Sequence, residues 1–70
     1  MNLTQIMKDN NVSEMDLAYN CGVDKSTVFL WKSGERTPSL KNANNIWQYF
    51  FRHHDIELNM FEVFGLRTTL

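Results

Sequence analysis

Residues 14–33 read EMDLAYNCGVDKSTVFLWKS, and this stretch decides how the rest of the chain is read. It is a helix, a tight turn and a second helix. Ser13 and Asp24 stand where N-caps belong, just ahead of each helical run. Cys21-Gly22-Val23 lies between them, and Gly22 can take the positive φ that a turn between crossing helices requires. Leu17 and Ala18 face inward from the first helix, Val28 and Trp31 from the second. The small side chain of Ala18 lets the two helices cross closely. The pattern is that of a helix-turn-helix.

The spacing of Leu17, Ala18, Cys21, Gly22, Val23, Val28 and Trp31 resembles the lambda Cro and repressor (XRE) family, which keeps apolar, alanine and glycine residues in this order. The likeness continues into Ser33-Gly34-Glu35-Arg36-Thr37-Pro38-Ser39, similar to that family's glycine, basic, proline, serine loop, and extends over about residues 3–65. The resemblance implies an all-α, five-helix fold with a helix-turn-helix at helices 2 and 3, and a second helix that enters the DNA major groove. It places base reading at Lys25, Ser26, Phe29 and Leu30. Lys25 can donate to guanine, Ser26 can donate or accept, and the apolar Phe29 and Leu30 can pack on a thymine methyl. Phe29 and Leu30 serve equally well as a patch for a protein partner or as packing against the first or last helix.

Seventy residues make at most one domain, and a chain this short buries only about 60% of its unfolded surface. Cys21 is the only cysteine, so no intrachain disulfide compensates, and a lone thiol fits a reducing, cytoplasmic setting. No basic-then-apolar leader is expected at the N-terminus, and no run approaches the ~20 apolar residues of a membrane span. Net charge is −1 and the pI about 6.0, low for a nucleic-acid binder. The charge is nevertheless polarised. Over 25–41, Lys25, Lys32, Arg36 and Lys41 against Glu35 leave +3; over 55–70, Asp55, Glu57 and Glu62 against Arg67 leave −2.

The flanking chain fills in around that motif. Leu3, Ile6 and Met7 mark a first helix over 3–10. Val12 can staple onto Leu17, and Ser13 with Asp16 approximates a capping box. The second helix is expected over 14–20 and the third over 25–33. Glu14 stands where similar proteins often carry a phosphate-binding glutamine; an acid there suits the helix dipole but repels phosphate. Gly34 ends the third helix. Arg36 and Lys41 are candidate phosphate contacts, joined by Thr27 and Lys32. The fourth helix, over 40–52, starts from Ser39, or from Thr37 with Pro38 at its first position. Its stripe of Leu40, Ala43, Ile46, Trp47, Phe50 and Phe51 is expected to close the core.

His53-His54-Asp55 has no third ligand at a metal spacing, and histidine at a helix C-terminus is better explained by capping. Residues 56–60 alternate like a strand, while 59–65 read as a capped helix; a short fifth helix is the preferred reading. Residues 56–70 form the expected dimerisation segment, through Ile56, Leu58, Met60, Phe61 and Phe64, with Leu66, Leu70 and a 67–70 tail adding to it. With no glycine phosphate loop, no nucleophile beside a base and no ligand cluster, neither an enzyme nor a cofactor is expected. The leading expectation is a homodimeric repressor of the phage or plasmid type on double-stranded DNA. The competing one is a protein-interaction module, such as an antitoxin or adaptor, on the same fold.

Overall fold

A computed structural model describes residues 2–65. Five helices follow one another: α1 Leu3–Asp9, α2 Glu14–Cys21, α3 Lys25–Ser33, α4 Leu40–His54 and α5 Met60–Phe64. Among the described residues there is no strand: residues 55–59 are an irregular connection, and Met60 already begins the short helix. Leu66, Leu70 and the 67–70 tail lie outside the described residues.

Four of the five helices begin on a side-chain cap. Asn2 accepts from Gln5 N–H (2.8 Å), Ser13 from Asp16 N–H (3.1 Å), Ser39 from Asn42 N–H (3.2 Å) and Asn59 from Glu62 N–H (3.1 Å). Each bond satisfies one of the donors that a helix start leaves orphaned. Ser39 therefore opens α4, in preference to Thr37, and Pro38 is buried ahead of it. Asp24 occupies the N-cap of α3 in extended backbone, but its carboxylate makes no capping bond. The start of α3 is thus held by packing and backbone bonds alone.

Left-handed residues end four of the five helices; α1 stops instead on Asn10 at φ −109°. Gly22 (φ 69°) turns the chain after α2, and Val23 N–H returns to Ala18 O at 3.0 Å. This back-bonded turn is short enough for α3 to fold directly across α2. A non-glycine does the same work at the end of α4. Asp55 takes φ 57°, and Ile56 N–H bonds to Phe50 O at 3.2 Å. Asp is one of the few side chains that tolerate this region, so α4 continues two residues beyond the expected 52.

The core gathers Leu3, Ile6 and Met7 of α1, Leu17, Ala18 and Cys21 of α2, Val28 and Trp31 of α3, and Ile46 and Phe50 of α4. Leu17, Val28, Ile46 and Phe50 are completely buried. Helix α2 packs on both α3 and α4, and α1 braces α3, where Thr4 Oγ1 donates to Lys32 O at 3.2 Å. Val12 closes the α1–α2 corner beside Leu17.

The apolar stripe expected on α4 is only half buried. Ala43, Ile46 and Phe50 face the core, whereas Leu40 and Phe51 are 66% and 43% exposed. At 100° per residue, Leu40 and Phe51 lie about 80–100° around the helix from Phe50. A run that recurs at three and four over the twelve residues 40–51 spreads too wide for one core face.

Candidate functional site

Helix α3 has two unlike sides. Val28 and Trp31 are buried against α2 and α1, and Lys25, Ser26, Phe29 and Ser33 are exposed. Thr27, Leu30 and Lys32 are half-buried at the margins. The exposed side offers an ammonium at its N-terminal end, a hydroxyl beside it and an aromatic ring, Phe29, at 53% exposure. Ser33 is already committed: its hydroxyl donates to Leu30 O at 3.1 Å and accepts from Glu35 N–H at 3.4 Å. Leu30 is half-buried, and its backbone carbonyl accepts from Arg36 N–H at 3.2 Å in the turn after α3. Of the four residues assigned to base reading, Lys25, Ser26 and Phe29 share an open surface, and Leu30 lies at its edge.

The residues assigned to phosphate separate into three environments. Arg36 and Lys41 are exposed on the loop and at the start of α4, on either side of the Ser39 cap. Thr27 is half-buried on α3. Lys32 is held by an acid: its Nζ lies 3.3 Å from Glu14 Oε2, with the two side chains 27% and 25% exposed. This is the one ion pair among the described residues. It joins the start of α2 to the end of α3, across eighteen positions of sequence. Much of the cationic charge that the sequence assigns to Lys32 is therefore answered within the chain.

Neither family models, nor curated proteins, nor solved structures yield a match to this chain.

Of the residues assigned to dimerisation, Phe61 is 59% exposed, Ile56, Met60 and Phe64 are half-buried, and Leu58 is 8% exposed within the core. Leu58 is thus a core residue, buried from the connection between α4 and α5. Exposed apolar residues to which the sequence assigned no role are Met15 and Tyr19 on α2; a second exposed set, Leu40 and Phe51 on the flank of α4, was expected in the core. The signal for the second was present, in apolar positions too far around the helix to share the Phe50 face.

His53 and His54 pack their rings around Tyr49, at 5.0 and 5.5 Å, and His54 also lies 5.6 Å from Phe50. Among the described residues no group of three or more His, Cys, Asp or Glu could hold a metal ion. Burial, with a smaller contribution from the Asp16 carboxylate, pushes the Tyr49 hydroxyl up from its ordinary value. Burial also pushes the Cys21 thiol up to about 11. The thiolate is the reactive form, so Cys21 in the folded protein should alkylate far more slowly at pH 8 than in urea. Equal rates in a timed iodoacetamide reaction would contradict this burial. The linked stability is present below the unfolded pKa near 9 and is lost as pH rises from there through about 11.

Proposed function

We propose that the chain is a sequence-specific DNA-binding regulator whose α2 and α3 form a helix-turn-helix of the lambda Cro and repressor type. Helix α3 lies in the major groove. The observation that carries this reading is the division of α3 into a buried Val28–Trp31 side and an open side bearing Lys25, Ser26 and Phe29. Only a helix braced from behind presents its N-terminal side chains to base edges without losing its own packing. Lys25 donates to guanine O6 or N7, Ser26 pairs with a neighbouring base, and Phe29 packs on a thymine methyl. Arg36 and Lys41 grip phosphates and set the register. Two copies bind a near-palindromic operator and repress by excluding polymerase. The reading includes no catalysis and no cofactor, and a cytoplasmic setting.

Salt dependence tests the phosphate contacts. Arg36 and Lys41 give two per subunit and four in a dimer, hence a log–log slope of about −4 at roughly −0.9 per contact. A slope near zero for the best-bound duplex would exclude this reading.

Glu14 modulates the same surface. A phosphate approaching the start of α2 meets a carboxylate already engaged with Lys32. Glu14→Gln keeps the hydrogen-bonding shape, removes the repulsion and frees Lys32. We expect several-fold tighter binding to all duplexes and a slope steeper by about one unit per subunit. Unchanged affinity and slope in a fluorescence-anisotropy titration would show that Lys32 and Glu14 stand clear of the DNA.

A protein-interaction module is the second reading, favoured by the exposure of Phe29, Met15 and Tyr19. It predicts no sequence preference and binding no stronger than the non-specific range of roughly 10⁻⁴–10⁻⁶ M.

A further inference from the structure

Asp24 stands at the N-cap of α3 and leaves its side chain unused. In α1, α2, α4 and α5 the cap side chain accepts from the N–H three residues on. In α3 that N–H, of Thr27, goes to the backbone carbonyl of Asp24 at 3.0 Å, and Val28 N–H reaches the same oxygen at 3.4 Å. The main chain of Asp24 is thus tied to the helix twice. Its carboxylate has no capping bond and, among the described residues, no ion pair. Asp24, Lys25 and Ser26 are consecutive and all exposed.

We propose that Asp24 is a base-reading residue, accepting from the N4 amino group of a cytosine one base pair from the guanine read by Lys25. The proposal rests on the reading of α3 as a major-groove helix and names a second base for it. A carboxylate carried into the groove is repelled by the surrounding phosphates, so it needs a donor there. The amino groups that the groove offers are cytosine N4 and adenine N6. Adenine sets its N7 acceptor beside the amino group, whereas cytosine presents a donor alone. Guanine O6 and N7 and thymine O4 are acceptors and meet the carboxylate with like partial charge. Asp24 therefore selects by attraction and by exclusion together. Consecutive Cα atoms lie about 3.8 Å apart, close to the roughly 3.4 Å step between base pairs. Asp24 and Lys25 can accordingly address neighbouring pairs with opposite chemistry, one as acceptor and one as donor.

The competing explanation is that Asp24 only favours the positive end of α3 by its charge. Two substitutions separate the roles. Asp24→Asn keeps the size and the capping rank, and its amide both donates and accepts, the pair that matches adenine N7 and N6. Asp24→Ser removes the reach and installs the residue type that caps α2 and α4.

The test is selection from random duplex DNA with the full chain, Asp24→Asn and Asp24→Ser, each beside a thermal melt. The parent should enrich cytosine in the column next to guanine. Asp24→Asn should move that column from cytosine to adenine, and Asp24→Ser should flatten it, with the other columns and the melts little changed. In fluorescence anisotropy on the parental duplex, replacing that cytosine by thymine should weaken the parent about 5- to 150-fold and leave Asp24→Ser nearly indifferent. The proposal is overturned if both variants select the parental motif or if all columns weaken together. It is also overturned if neither variant folds, since Asp24 would then be holding α3. A parental motif without that cytosine overturns it too and leaves base reading by α3 standing. A pool that stays random removes that reading and this proposal with it.

Discussion

Phe50→Ala will remove most of the stability of this protein, and Phe51→Ala, one residue on, will not. Phe50 is completely buried where α4 meets the core, against a ring edge of Tyr49 at 5.3 Å and the ring of His54. Truncating a buried phenylalanine costs about 3–5 kcal/mol, the transfer term plus the cavity left behind. A 70-residue domain at roughly 0.05–0.15 kcal/mol per residue has only about 3.5–10 kcal/mol in all. At about 4–8 °C per kcal/mol, the melting temperature should fall by at least about 12 °C, or the cooperative transition should disappear. Phe51 loses chiefly its stacking on Trp47, worth about 0.5–1.5 kcal/mol. Thermal melts of both variants at low concentration decide the matter. Equal shifts would mean that α4 is rotated from the orientation described.

Lys25→Ala will weaken operator binding by about 1–3 kcal/mol, roughly 5- to 150-fold, and relax the preference at one base position. Its effect on folding should have the opposite sign. Lys25 is the first residue of α3, at the positive end of the helix dipole, where a cation is unfavourable by about 0.3–1 kcal/mol. Asp24 beside it makes no capping bond that the substitution could break. Removing the ammonium should therefore leave the melting temperature unchanged or slightly raised, so a loss of affinity would report a lost contact rather than a damaged helix. Binding-site selection with the variant, beside a melt, separates the two. An intact preference would remove Lys25 from the base-reading set.

Much of the fold is local, and local features are legible in a sequence. Ser13, Ser39 and Asn59 announce helix starts because a short oxygen-bearing side chain can reach the backbone N–H groups ahead of it. Gly22, Gly34 and Gly65 announce ends because all three take positive φ. The inward Leu17, Ala18, Val28 and Trp31 follow from periodicity alone. What could not be read depends on alternatives of nearly equal energy or on distant partners. Asp55 turns left-handed without being glycine, so the end of α4 carried no mark. Asp24 has the chemistry of a cap and does not use it. Leu40 and Phe51 satisfy a three-four pattern and still fall outside the core, since the pattern does not say how wide a face the neighbours cover. Lys32 reads as a free cation until folding sets it against Glu14, eighteen residues away. In the candidate site, Lys25, Ser26 and Phe29 were legible as one face, whereas the half-burial of Leu30 depends on neighbours outside α3.

The proposed function stands or falls on whether α3 reads bases. Selection of bound sequences from random duplex DNA by the full chain, at about 0.1 M salt, asks this with every operator sequence equally open. The expected result is enrichment of a two-fold symmetric motif, its half-sites centred about 10 base pairs apart, containing guanine and thymine where Lys25 and Phe29 reach. A pool that stays random after repeated rounds, with the protein shown to be folded, would contradict base reading by α3 and point to a protein partner for Phe29, Met15 and Tyr19.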